Sequence, residues 1–190
     1  MFDLYIFDMG GVVSRNTNVA PAMAAYLDFD GTTMINYARD DFQQLTTGKI
    51  SAAEFARRFS LKIGQTIEER LLTKFFKPEL DPGVVEIIDS LKNGARVVAG
   101  TNTIGPHYDI HLRNGDYRIF DAVYASHLMG LAKPDQTFYT YILEQEDCSA
   151  ERVVFIDDVP DNVEAARALG IRSLLFADAG KLKKDLAGLA

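Results

Sequence analysis

Apolar residues in this chain come in short unbroken runs that stop at a polar residue, and between the runs they recur three or four places apart. Leu4-Tyr5-Ile6-Phe7 stops at Asp8, Arg96-Val97-Val98-Ala99-Gly100 at Thr101 and Asn102, and Val153-Val154-Phe155-Ile156 at Asp157 and Asp158. Runs of this length that do not alternate with polar residues read as strands covered on both faces. Two more strands are predicted at Ala122 to Ala125 and Arg172 to Phe176, with helices near 107–114, 135–146 and 161–169. Asp81-Pro82 reads as a cap followed by proline at the first helical position. Val84, Val85, Ile87, Ile88 and Leu91 form the buried stripe of that helix, and Asn93-Gly94 ends it. Strands and helices alternating at these lengths predict a doubly wound α/β fold with a parallel sheet covered on both faces.

From about 17 to 77 the strand pattern disappears. Helical spacing recurs in Ala22 to Leu27, Met34 to Leu45, Phe55 to Leu61 and Ile67 to Phe76, and Ser51 with Glu54 three residues on has the capping-box form. The expected organisation is a core of residues 1–14 and 81–190 with a helical insertion over 15–80. A final short helix is expected from Lys181 to Ala190.

With 190 residues, 47% of them hydrophobic, the chain is long enough for one well-buried core and an accessory piece. A formal net charge of −7 argues against a nonspecific nucleic-acid binder, though local donors can still hold a small anion. The one cysteine, Cys148, excludes an intramolecular disulfide framework and reads as a surface thiol. No apolar run approaches the roughly 18 residues of a membrane span, and strand-like sequence begins by Leu4 without a basic leader. The expectation is a soluble cytoplasmic protein, monomeric or homodimeric, without membrane or nucleic-acid partners.

Ligands of open parallel sheets gather outside the carboxyl ends of the strands, where three of the runs deliver polar groups. Asp8 would project into a loop containing Gly10 and Gly11, placed to act as a nucleophile toward phosphorus. Thr101 and Asn102 offer a hydroxyl and amides to phosphate oxygens, and Lys133 in Gly130-Leu131-Ala132-Lys133-Pro134 offers a cation. Asp157 and Asp158 would hold a hard, oxygen-seeking Mg²⁺ between nucleophile and phosphate.

These four pieces, FDMGGVV at 7–13, VVAGTN at 97–102, KPD at 133–135 and FIDDVPDN at 155–162, resemble the motifs of the haloacid dehalogenase superfamily in their order. The resemblance spans essentially the whole chain, the insertion standing where the family has a helical cap. It implies that Asp8 forms an aspartyl phosphate, that Thr101 and Lys133 bind the phosphoryl group, and that Asp158 ligates Mg²⁺ directly. Asp157 would bind the metal through water or orient its shell.

One departure is Gly10, at the position where the phosphatase pattern has a second Asp as general acid and base. Its backbone carbonyl can still meet the metal, but it cannot protonate a leaving group, a role typically worth about 10²- to 10⁴-fold in rate. The FDxGxV form is most similar to bacterial α-glucose-1-phosphate phosphatases and related sugar phosphatases. The expected function is therefore Mg²⁺-dependent hydrolysis of a small phosphorylated metabolite such as a sugar phosphate. The alternatives are a phosphate-ligand-binding protein that has lost turnover and a metal-independent dehalogenase.

His107 follows the Thr101-Asn102 loop closely enough to contact substrate or to donate the missing proton, and Arg15 lies just beyond the first loop as a candidate substrate contact. His107 and His111 are four apart but have no third ligand of suitable type nearby, so they do not read as a zinc pair. Asp28-Phe29-Asp30-Gly31-Thr32 matches the superfamily's DxDGT motif letter for letter, yet the segment before it is helix-prone and not a β-branched strand. It reads as a loop between helices, with Asp30-Gly31 as turn and Thr32 or Thr33 as cap.

Overall fold

Five strands, each apolar through most of its length, form the central sheet of the computed structural model, which describes residues 2–189. In chain order the elements begin with β1 (Leu4–Phe7), β2 (Ser14–Arg15), α1 (Ala20–Tyr26), α2 (Gly31–Thr46), α3 (Ala52–Ile63), α4 (Leu71–Lys74) and β3 (Glu79–Leu80). They continue with α5 (Pro82–Leu91), β4 (Arg96–Thr101), α6 (Gly105–Asn114), β5 (Ala122–Ala125), α7 (Ser126–Met129) and α8 (Gln136–Gln145). The last are β6 (Val153–Asp157), α9 (Pro160–Ala168), β7 (Arg172–Leu175) and α10 (Ala179–Ala187).

The sheet order is β5-β4-β1-β6-β7, and every pairing is parallel. The chain builds outward from β1 to one side, then crosses back to β6 on the other. The topological switch point therefore lies between β1 and β6, where a crevice opens beyond the strand ends. Side-chain alternation divides the core into two layers. Phe7, Val97, Ala99 and Ile156 pack on Val84 and Ile88 of α5 and Leu182 of α10. On the other face Leu4, Ile6, Val98 and Phe155 pack on Phe138, Tyr139 and Ile142 of α8 and Ala166 of α9.

Helices α1 to α4 gather around their own apolar cluster, which includes Met23, Leu45, Phe55, Phe59 and Leu72 and is joined from below by Ile104 of the loop after β4. Ser126 ties this group to the α/β body, donating to the Thr46 carbonyl (2.7 Å) and accepting from the Thr103 N–H (2.9 Å). At the base, β2 and β3 pair antiparallel, Ser14 opposite Leu80 and Arg15 opposite Glu79. Two-residue strands carry no periodicity, so the hydrophobic pattern gives no sign of them.

The segment expected to be helical from Ile67 to Phe76 is helical only over α4. Gly64 in the left-handed region (φ 69°) closes α3, and the Ile67 N–H is taken by the Ser60 hydroxyl (2.9 Å), which holds 64–67 in a turn. Of the DxDGT-like segment only Asp28 to Asp30 join α1 to α2, since Gly31 and Thr32 already belong to α2, and the cap is Asp30, whose carboxylate accepts from the Thr33 N–H (2.9 Å), and not either threonine. Asp81 caps α5 as expected, accepting from the Gly83 N–H (2.9 Å). His127 lies in the one-turn helix α7.

Gly100 of β4 is a tight point of the sheet, because a Cβ there would lie 2.7 Å from Ile6 Cγ2. Gly100→Ala should lower unfolding free energy by about 1–3 kcal/mol through overpacking, measured by urea denaturation; an unchanged midpoint would show that the strands can part to admit a methyl group.

Candidate active site

Asp8 is the first residue after β1, and its N–H still donates to the Ile156 carbonyl (2.9 Å). The strand register thus delivers its carboxylate to the switch-point crevice, beside Asp157 at the end of β6. Lys133 reaches both from the loop before α8. Its buried ammonium donates to Asp8 Oδ1 (2.7 Å), Asp157 Oδ2 (2.7 Å) and the Gly100 carbonyl (2.8 Å), which uses its three protons.

Asp157 is fully buried and its oxygens are engaged. Oδ1 accepts from the Val159 N–H (2.8 Å), Oδ2 from Lys133, and both from the Asn162 amide in the first turn of α9 (3.1 Å each). Its place is to hold Lys133 and the α9 turn. Asp158 is exposed, and its carboxylate lies over Gly11, where φ is +84° and any Cβ would overlap it. That close approach is a reason for glycine at position 11.

Asn102 differs from its sequence reading. Its side chain donates to the Lys133 carbonyl (2.8 Å) and accepts from the Lys133 N–H (2.9 Å), clamping the lysine's backbone instead of offering the amide to a ligand. Thr101 is buried at the end of β4 and lines the crevice. Arg15, expected at the substrate, lies on β2 with its guanidinium held by Asp81, outside the cavity lining. Pairing of β2 with β3 is what turns it away.

His107 does line the cavity, but Nε2 donates to the Leu72 carbonyl (2.7 Å) and the ring stacks on Phe76 at 3.8 Å. Burial pushes its pKa down to about 4. The ring is neutral near pH 7, with Nε2 committed as a donor to main chain. His111 is held separately, its Nδ1 2.7 Å from Asp116 Oδ2.

Burial, opposed by Lys133 and reinforced by Asp157 and Asp158, pushes the Asp8 carboxyl up to about 6. Asp158 is raised by burial and by Asp157, while Lys133 stays above its ordinary value because Asp8 and Asp157 outweigh the burial that alone would lower it. Oxygens of Asp8, Asp157 and Asp158 lie within 4.8 Å of one another. Three carboxylates around one ammonium leave an excess of negative charge, and Asp8 Oδ2 and the Asp158 carboxylate carry no protein hydrogen bond among the described residues. An all-oxygen set with surplus charge fits a hard divalent cation.

Above this polar floor a cavity of about 980 Å³ extends between the strand ends and α1 to α4. Its upper walls carry Met23, Met34, Phe42, Phe55, Phe59 and Phe76, with Arg39, Gln43 and Thr46 of α2 among them. Sequence reading missed the apolar walls of this chamber, because those residues are indistinguishable from the core residues of amphipathic helices. It also missed Asn162, although the spacing of five from Asp157 places it one turn into a helix starting at Pro160.

A family model for hydrolases, the haloacid dehalogenase-like hydrolases, matches residues 2–170, and the chain belongs to this family. It is 33% identical over 186 residues to a sesquiterpene phosphatase of Aspergillus oryzae, covering 93% of this chain and 91% of that protein. It is 24% identical over 198 residues to a D-ribitol-5-phosphate phosphatase of Bacteroides thetaiotaomicron, with 95% of each covered. A haloacid dehalogenase family enzyme from the same bacterium, solved with magnesium and inorganic phosphate, superposes with a TM-score of 0.77 at 22% identity, over 95% of this chain and 96% of that one.

The folded chain resists protonating His107 until about pH 4, whereas the ring ordinarily takes a proton near 6.5. His107 therefore contributes stability at neutral pH that is lost as pH falls from 6.5 toward 4. An NMR titration should find its ring signals unchanged from pH 8 to 5; a midpoint above 5.5 would return it to the list of available proton donors.

Proposed function

We propose that the protein is a Mg²⁺-dependent phosphatase whose small phosphorylated substrate carries an apolar organic group. The observation behind this reading is the junction of the Asp8 floor with the Met- and Phe-walled chamber in one cavity. A sugar phosphate, the expectation from the FDxGxV motif, would place hydroxyl groups beside Met23, Met34, Phe42, Phe55 and Phe59 as well as the polar side chains of Arg39, Gln43 and Thr46, whereas each buried methylene of an apolar tail on those Met and Phe walls contributes about 0.8 kcal/mol. The full-length likeness to a sesquiterpene phosphatase supports the same choice.

In this reading Asp8 Oδ2, free of Lys133, attacks phosphorus. The Thr101 hydroxyl and the neighbouring backbone amides face the phosphoryl oxygens, and the Lys133 ammonium beside Asp8 stands as a fixed positive charge next to them. Asp157, Asn162 and Asn102 act by fixing Lys133 in place. Asp8, Asp158 and the Gly10 carbonyl would hold Mg²⁺, which when bound supplies the positive charge that lets an anionic substrate approach an anionic nucleophile. Helices α1 to α4 act as the cap that keeps water out and selects the organic group.

Phosphate release from isoprenoid and sugar phosphates, with Mg²⁺ or with chelator, tests the assignment. Isoprenoid phosphates should be hydrolysed with the higher kcat/KM, and Asp8→Asn should lower release at least about 10³-fold, as expected for loss of a covalent nucleophile. Preference for a sugar phosphate would overturn the apolar assignment, and full activity of Asp8→Asn would overturn the mechanism. Because Asp8 takes a proton as pH falls through about 6, Mg²⁺ affinity measured by calorimetry should weaken below that pH; affinity unchanged down to pH 5 would remove Asp8 from the metal site.

A further inference from the structure

Among the described residues lining the chamber, no acid outside the cluster of Asp8 and Asp158 is free to hand a proton to a departing alkoxide. At position 10 the backbone is at ordinary φ, and a Cβ would lie 3.1 Å from Thr17 Oγ1, a contact tight enough that Thr17 would have to give by a few tenths of an ångström to admit an acidic side chain. The other titratable groups lining the cavity are committed elsewhere. His107 donates Nε2 to Leu72, His111 is held by Asp116, and Asp135 caps α8 through the Thr137 N–H (2.9 Å). Asp158 belongs to the acidic cluster beside Asp8. The Thr17 hydroxyl is no stronger an acid than an alcohol and can orient a bridging oxygen without protonating it.

Leaving groups differ greatly in their need for that proton. An alkoxide leaves as the conjugate base of an acid near water's own pKa of about 16, whereas a phosphate monoester leaves as the base of an acid near pKa 6. A second cation points the same way. Arg39 of α2 lines the cavity, and its guanidinium has one protein hydrogen bond among the described residues, to Asn36 Oδ1 (3.3 Å), with no carboxylate partner. Lys133, by contrast, is spent on Asp8 and Asp157.

Resting on the phosphatase reading above, we propose that the enzyme removes the terminal phosphoryl group of an apolar organic diphosphate, and that Gly10 with Thr17 restricts it to this anhydride cleavage. An Asp8 oxygen forms a bond to the terminal phosphorus as the bond from that phosphorus to the bridging oxygen breaks. The electron pair stays on the bridging oxygen, so the organic monophosphate leaves as its dianion with no proton transferred. Water then attacks the aspartyl phosphate, the bond between phosphorus and the Asp8 oxygen breaks, and both hydrogens of the water depart on inorganic phosphate as H₂PO₄⁻. Each leaving group, a phosphate monoester and then a carboxylate, is stable as an anion. Arg39 meets the phosphate that remains on the organic group.

Farnesyl diphosphate and farnesyl monophosphate, each with Mg²⁺, are the probes, with inorganic phosphate and the organic product followed by chromatography. The expected result is a kcat/KM for the diphosphate at least about 10²-fold above that for the monophosphate, with farnesyl monophosphate accumulating in step with phosphate. Arg39→Gln should lower kcat/KM for the diphosphate at least about tenfold, and by a larger factor than for the monophosphate; an equal loss on both probes would remove Arg39 from the second phosphate. In the double variant Gly10→Asp, Thr17→Ala, where the clash is relieved, monophosphate hydrolysis should rise and the preference narrow. Equal or faster cleavage of the monophosphate by the unaltered protein would overturn this proposal while leaving the phosphatase reading intact. Release of inorganic diphosphate would overturn it as well, and absence of release from both probes would overturn the two readings together.

Discussion

The Lys133 ammonium, enclosed between two carboxylates and a strand carbonyl, is the interaction on which the site is built. Its three hydrogen bonds join the ends of β1, β4 and β6, so one side chain sets the relative positions of Asp8, Gly100 and Asp157. Removing one partner of such a buried cluster typically costs about 3–5 kcal/mol, because the remaining charges lose their compensation. The surroundings are arranged to keep the arrangement unique: Asn102 fixes the lysine's backbone, and Asn162 and the Val159 N–H saturate Asp157. Of the two carboxylates that hold Lys133, only Asp8 keeps an oxygen without a protein partner among the described residues, so the reactive position is defined by what is left over once the lysine is bound.

How much of this is legible in the sequence follows from where the signal resides. Strands covered on both faces announce themselves as apolar runs, and their polar terminators mark the crevice, so Asp8, Thr101, Lys133, Asp157 and Asp158 could be placed together before any coordinates. Roles that depend on a single side-chain rotamer could not. Asn102 was read as offering its amide to a ligand, but its side chain clamps the Lys133 backbone. Arg15 was drawn toward the substrate by its nearness to Asp8 in sequence, yet a two-residue strand pair sends it to Asp81.

The chamber was invisible for a different reason. Met23, Phe55 and Phe59 occupy helical positions that a core would fill, and the periodicity is the same whether a stripe faces another helix or a void. Only the packing of four helices against one another, with Ile104 entering from the α/β side, determines which part of the stripe is left uncovered. The DxDGT-like segment shows the converse error available to motif reading, since a letter-perfect match lies in a helix connection where Asp30 does no more than cap α2.

The pairing of Ser14 with Leu80 brings the start and finish of the helical excursion to one point, and the Arg15–Asp81 ion pair and the Asp81 cap of α5 bind that point to the sheet. A loop whose ends are already fastened can change length at small entropic cost, about 0.6 kcal/mol for each doubling. The walls of the chamber thus hang from one fastened point, with Ser126, Ile104 and His107 as their further contacts to the α/β body. Such a fold is a chassis with an interchangeable hood: the same catalytic floor can be fitted with a wider, narrower or more polar chamber by evolution or by grafting, without disturbing the strand ends beneath.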